Sequence, residues 1–188
     1  INAGNITADG VLTVSNNQAT NNGGGVISIS GTITCNENLV VSNNTALRGG
    51  GIYQYGPSSI YLYGGATISD NTASSYIGGG IAQYTGTMQV GKSDDLQNLN
   101  VNNNTSKTAG AGICQWSTGT ITIYGDMNIS GNSATTHGGG IYQNTTGTIN
   151  VNGNINISGN SATARAGGIF DSTGTISCTG AMTVSGNS

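Results

Sequence analysis

The side chains best suited to acid–base or metal chemistry are seven carboxylates, of which only Asp94 and Asp95 are adjacent. Paired acids can hydrolyse a glycosidic bond when they flank it and other polar groups lie within reach. No repeated position supplies a third acid, and His137 and Arg165 fall at a different point of the repeat. Calcium takes about six to eight oxygen ligands, more than one Asp pair offers. We therefore expect a solvated loop here, with no catalytic residue and no metal site.

The cysteines and the single histidine also lack partners for chemistry. Cys35 and Cys178 fall at a repeat position that otherwise holds Leu, Val or Ile, so we expect both in the core. Cys114 has no base near it in the pattern, and a thiol without such a neighbour is not activated. His137 precedes a glycine run and is expected to be an exposed turn residue. The sequence therefore implies no cofactor.

The net charge of −3, with four Lys and Arg residues in 188, limits the classes of partner. Nucleic acid binding requires clustered basic side chains, and no such cluster occurs, so nucleic acid is not an expected partner. No apolar run approaches the roughly 18 residues of a membrane span, so we expect no membrane insertion by this segment.

A short signature, an aliphatic residue followed three positions later by asparagine, occurs seven times. The asparagines are 27, 27, 33, 28, 28 and 27 residues apart, so the chain repeats one supersecondary unit. An asparagine at the same corner of every coil can hydrogen-bond to its copies above and below. The expected ladder comprises Asn17, Asn44, Asn71, Asn104, Asn132, Asn160 and Asn187.

Each period holds three apolar clusters, and alternate residues within them point to the same side, as in strands. The first cluster falls in the Gly-Thr-Ile segments. The second cluster begins eight residues after the start of the first, and the third is the aliphatic residue after each glycine run. The pattern predicts an all-β fold: a right-handed single-stranded parallel β-helix of about 27–28 residues and three short strands per coil. We expect one domain over residues 1–188, about six and a half coils, with a five-residue insertion within 91–98. We expect this domain to be a segment of a longer repeat protein.

Two further columns are repeated at fixed positions. Gln54, Gln83, Gln115 and Gln143 form a candidate second amide ladder. Aromatic residues occupy the neighbouring positions Tyr53, Tyr142 and Phe170, and two residues later Tyr55, Tyr84 and Trp116. If Ile52 points inward, alternation turns both aromatic columns outward. Two interpretations remain open: cross-strand stabilisation, or a contact face for glycan or protein built from Tyr53, Tyr55, Tyr84, Trp116 and Tyr142.

The pair of motifs, aliphatic-x-x-Asn followed by Gly-Gly-Gly-Ile, closely resembles the repeats of polymorphic outer membrane proteins. Those repeats are usually written Phe-x-x-Asn and Gly-Gly-Ala-Ile, and here Ile or Val replaces Phe in every copy. The likeness covers essentially the whole chain. It implies an exposed or secreted rod of autotransporter-adhesin type that is involved in attachment.

These observations favour a non-enzymatic extracellular or cell-surface stalk, adhesin-like, with a host or cell-surface glycan or protein as the candidate partner. An alternative is a subunit that stacks end to end into a filament, since open solenoid ends invite strand addition. Two others are an ice-binding solenoid, from the outward column around Thr32, Thr87 and Thr120, and a polysaccharide-active enzyme. The ice-binding pattern breaks in the neighbouring column at Tyr61 and Gln89.

Overall fold

The computed structural model of the protein describes residues 4–188 as a stack of parallel β-strands. Within that range all regular secondary structure is strand, and successive coils pair in parallel and in register. The chain forms a parallel β-solenoid of about six turns, which confirms the fold class predicted from the repeat.

Two seven-stranded sheets form two sides of the solenoid. The first sheet contains Asn5–Ala8, Gly31–Cys35, Ser58–Leu62, Thr87–Val90, Thr120–Ile123, Thr148–Val151 and Thr175–Cys178. The second sheet contains Leu12–Ser15, Leu39–Ser42, Ala66–Ser69, Leu99–Asn102, Met127–Ser130, Ile155–Ser158 and Met182–Ser185.

The remaining sides are a six-stranded sheet and a five-stranded sheet of two-residue strands. The short sheet contains Thr45–Ala46, Thr72–Ala73, Thr105–Ser106, Ser133–Ala134 and Ser161–Ala162. The third sheet contains Val26–Ser28, Ile52–Gln54, Ile81–Gln83, Ile113–Gln115, Ile141–Gln143 and Ile169–Asp171. Six coils therefore have the three predicted strands, and five of these add a two-residue strand that turns the chain from the second sheet towards the third.

The core is a column of aliphatic side chains, two from each strand of the first and second sheets and one from the third. In the central coil these are Ile121, Ile123, Met127, Ile129 and Ile141, all fully buried. The period-2 alternation of buried and exposed residues arises because neighbouring side chains in a strand point to opposite faces. Burying each such side chain contributes roughly 1.5–3 kcal/mol, so the interior of every coil supports its neighbours.

The corner after the second sheet needs a left-handed backbone at the residue before each ladder asparagine. Positive φ occurs at Asn16, Asn43, Asp70 and Asn103, and glycine takes this place in the later coils. Asn and Asp adopt this region more readily than other non-glycine residues. The left-handed bend therefore falls on the residue before each ladder asparagine, which leaves the ladder side chain free to point inward.

The glycine run between the short and third sheets allows the closest approach between coils. A Cβ atom at Gly50 would lie 2.5 Å from the carbonyl carbon and oxygen of Thr72 in the next coil. No side chain fits there without moving the backbone. The structure shows no helix in residues 4–188 that is long and apolar enough to cross a membrane.

Candidate functional site

The seven repeated asparagines form one continuous hydrogen-bonded ladder through the solenoid. The Oδ1 atom of Asn104 accepts hydrogen bonds from the backbone N–H of Asn71 at 2.9 Å and from its Nδ2 at 3.0 Å. The Nδ2 atom of Asn104 donates to Oδ1 of Asn132 and to the carbonyl oxygens of Ile68 and Asn102, each at 3.0 Å. These internal contacts occupy the amide on both sides, so the ladder stabilises the corner and presents nothing to a ligand.

A second amide ladder lies inside the third sheet. Nε2 of Gln83 donates to Oε1 of Gln54 at 2.9 Å, and the same contact links Gln115 to Gln83 at 2.8 Å and Gln143 to Gln115 at 2.6 Å. All four side chains are fully buried. Asp171 takes the next position in the column, where Oε1 of Gln143 is buried without a hydrogen-bond partner in the described chain.

The paired acids Asp94 and Asp95 lie in a tight exposed turn of the insertion. Backbone hydrogen bonds join Lys92 N to Asp95 O at 2.8 Å and Asp95 N to Lys92 O at 3.1 Å. Gln97 Nε2 donates to Asp95 Oδ1 at 2.7 Å, and Lys92 Nζ lies 4.2 Å from the ring centroid of Tyr63. Within residues 4–188 there is no cluster of three or more His, Cys, Asp or Glu side chains that could hold a metal ion.

The threonine column of the first sheet is regular, but its neighbour is not. Thr32, Ser59, Thr87, Thr120, Thr148 and Thr175 are in register on the outer face. Tyr61, Gln89 and Asn150 interrupt the adjacent column, in the same register as Thr34 and Thr122. A flat two-column threonine face is therefore not continuous along the rod.

A concave site lies on the outside of the third sheet and is here named the aromatic groove. It has a volume of about 250 Å³ and is lined by Arg48, Tyr76, Ile77, Tyr84 and Trp116. Tyr76 is 46% exposed and Trp116 37% exposed, so both rings are accessible to solvent. The sequence pattern identified Tyr84 and Trp116, whereas Arg48, Tyr76 and Ile77 escaped it because they lie in the turn just before the glycine runs.

The aromatic column that contains Tyr53 and Tyr142 lies nearer to the core, beneath this groove. Tyr53 and Tyr142 leave the third sheet on its outer side, as the alternation predicts, yet each is only 7% exposed. The preceding turn covers them: a Cβ atom at Gly49 would lie 2.7 Å from the Cβ of Tyr53. Among the predicted aromatic residues, Tyr55, Tyr84 and Trp116 are therefore the ones that reach the surface.

Ring contacts link the two columns within two groups, one around Tyr84 and one around Tyr142, which together are named the aromatic layer. The ring centroids of Tyr55 and Tyr84 are 5.6 Å apart, as are those of Tyr53 and Tyr84. Trp116 stacks on Tyr142 at 5.8 Å with an interplanar angle of 29°. Separations of this size are favourable for offset or edge contacts, so the layer is held in place before any ligand arrives.

His137 belongs to this layer and is not the exposed turn residue that the sequence suggested. Its ring is half-buried and stacks on Phe170 at 5.5 Å and on Tyr142 at 6.2 Å. The expectation failed because the turn before the glycine run folds back over the third sheet, bringing the histidine against the aromatic column.

Burial raises the pKa of several tyrosine and cysteine side chains in this layer. Desolvation raises the pKa of Tyr53 to about 12, with the neighbouring Tyr84 adding to the shift and Arg48 opposing it. Burial also raises the pKa of Tyr84, again opposed by Arg48, and raises the pKa of the Cys114 thiol. At neutral pH the layer therefore offers rings, hydroxyl groups and the Arg48 cation, but no thiolate or phenolate nucleophile.

Comparison with known families matches part of one coil of this architecture. The family model for the Chlamydia polymorphic membrane protein repeat aligns with residues 126–144. That range contains the second-sheet strand Met127–Ser130, the ladder residue Asn132 and the glycine run that leads to Ile141. Residues 126–144 therefore match a repeat of the polymorphic membrane protein family, which is the family that the paired motifs resemble. Neither the curated proteins nor the solved structures yielded a match.

Proposed function

We propose that this polymorphic membrane protein-type chain is a non-enzymatic, adhesin-like stalk at the cell surface, and that it contacts glycan or protein through the aromatic groove. The groove carries the proposal, because it is an exposed, pre-formed cluster of rings on an otherwise polar, repetitive rod. Exposed Tyr and Trp side chains give large contact area at little cost in conformational entropy, which is why they serve as binding anchors.

The remaining repeated polar residues support a structural role for the rest of the chain. Both amide ladders use their side chains internally, and the acid pair lies in a turn formed by its own backbone. A rod of stacked coils is suited to hold a contact surface away from its anchor, since each coil is braced by its two neighbours.

The test compares two double variants for binding to intact animal cells, with and without prior removal of cell-surface glycans. Tyr84→Ala with Trp116→Ala removes the partly buried ring of Tyr84 and the exposed ring of Trp116 from the groove, and we expect at least a tenfold loss of binding. Tyr61→Ala with Tyr63→Ala removes a stacked pair with ring centroids 5.7 Å apart outside the third sheet, and serves as the control. Both should keep nearly the parent unfolding temperature. Equal cell binding by the two variants would contradict the proposal.

End-to-end stacking into a filament stays a prediction of the open solenoid architecture. Sedimentation velocity over a hundredfold range of protein concentration distinguishes a monomeric stalk from a growing polymer.

A further inference from the structure

The few charges of this protein are distributed to opposite corners of the coil. Following the chain, each coil passes from the first sheet to the second, then the short sheet, then the third. Five of the seven acids lie at the corner between the first and second sheets: Asp9, Glu37, Asp94, Asp95 and Asp126. Three of the four basic residues, Arg48, Lys107 and Arg165, lie between the short and third sheets. The aromatic groove is therefore on the basic side of an acidic protein.

Arg48 is the cation within the groove, and its guanidinium group is only lightly engaged. Its Cζ atom lies 4.1 Å from the ring centroid of Tyr76, a cation–π contact, and its Nη1 donates to Asn22 Oδ1 at a long 3.5 Å. The strands of the third sheet carry one carboxylate, Asp171. It lies on the strand Ile169–Asp171, two strands away from Ile113–Gln115, the strand that ends just before Trp116. A guanidinium stacked on a ring keeps N–H donors at its edge for a planar anion.

We propose that the aromatic groove binds an anionic saccharide, with a carboxylate or sulfate group on Arg48 and the sugar ring against Tyr84 and Trp116. The proposal rests on the proposed function, in which this groove is the contact surface. At about 250 Å³ the groove suits about one sugar ring of a longer saccharide. A stable protein partner usually buries about 800 Å² per side, and a nucleic acid needs several cations where this groove supplies one.

Trp116 is the only tryptophan, so its fluorescence reports directly on this groove. The probes are a tetragalacturonate, the same tetrasaccharide as its methyl ester, and a κ-carrageenan tetrasaccharide, which carries sulfate groups and no carboxylate. The first and third distinguish carboxylate from sulfate as the anion. We expect an anionic probe to shift the Trp116 emission, and the methyl ester to bind roughly tenfold more weakly than the tetragalacturonate, because it cannot form the charge-assisted hydrogen bonds.

Arg48→Gln should reduce affinity for the anionic probes by roughly tenfold and leave affinity for the methyl ester unchanged. Lys107→Gln removes the same charge from an exposed position at the same corner, outside the groove lining, and should change affinity less than twofold. Circular dichroism of both variants checks that the solenoid is intact.

The proposal is overturned if the methyl ester binds as well as the acid, if Arg48→Gln and Lys107→Gln behave alike, or if no probe changes the Trp116 emission. Self-association at low salt that Arg48→Gln abolishes would also overturn it, since the groove would then receive the acidic corner of a second copy. Loss of cell binding in the Tyr84 and Trp116 double variant, without preference for acidic sugars, leaves the proposed function standing and removes only this inference.

Discussion

Replacing Asn104 with alanine tests whether the asparagine ladder carries the stability of the fold. Asn104 is fully buried in a central coil, and the substitution removes two accepted and three donated hydrogen bonds. The backbone N–H and one amide hydrogen of Asn71 then lose their acceptor inside a fully buried corner. Each unpaired buried donor costs about 1–3 kcal/mol, so we expect the free energy of unfolding to fall by roughly 4 kcal/mol.

The matched control is Asn100→Ala, which changes the same residue type in the adjacent strand. Asn100 is half-exposed on the outer face and accepts one hydrogen bond, from Asn128 Nδ2 at 3.0 Å. That donor can turn to water, so we expect a loss below about 1 kcal/mol. The difference between the two variants isolates the effect of burial.

Urea denaturation followed by circular dichroism gives both free energies, provided that the dependence on urea concentration is similar for the variants. Amide hydrogen exchange should in addition show early loss of protection at Asn71, whose N–H is the donor left unpaired. If Asn104→Ala destabilises the protein no more than Asn100→Ala, the ladder is not a major source of stability and the reasoning fails.

Two further predictions concern the corners and the aromatic layer. Gly50→Ala should cost at least about 3 kcal/mol in urea denaturation, because the new Cβ meets the Thr72 backbone at 2.5 Å, whereas Gly10→Ala, with nothing within 4 Å, should be nearly neutral. The raised pKa of Tyr53, about 12, means that its neutral form favours the fold and that this contribution is lost as pH rises from about 10 to about 12. Stability over that interval should fall less steeply in Tyr53→Phe, and an identical slope in both proteins would contradict the assignment.

The repeat made most of the fold predictable. The fixed spacing of aliphatic residues implied strands that stack on their own copies, and the in-register pairs Ile121 with Ile149 and Ile129 with Ile157 confirm it. A strand repeated every 27–28 residues can satisfy its backbone and bury its side chains only by pairing with the next copy. Register was therefore fixed by the sequence alone.

The candidate site was predictable only in part, because it depends on turns of unequal length. Between the short strand and the glycine run there are two residues in the coil of Arg48, four in the coil of Tyr76 and Ile77, and three in the coil of Lys107. Because these turns differ in length, a side chain in one turn has no equivalent residue at a fixed position in the coil above or below it. The pattern consequently found Tyr84 and Trp116 on a strand extension but gave no sign that Arg48 and Tyr76 stack beside them.

The sequence by itself determined the coil, its period, its core and the internal ladders, since each follows from a local pattern repeated at constant spacing. Only the tertiary structure decided which outward rings reach solvent. Tyr53 and Tyr142 are covered while Tyr84 and Trp116 line a groove, because the turn before each glycine run folds over the inner column and stops short of the outer one. Alternation along a strand assigns a direction to a side chain, whereas exposure depends on what the rest of the chain places above it.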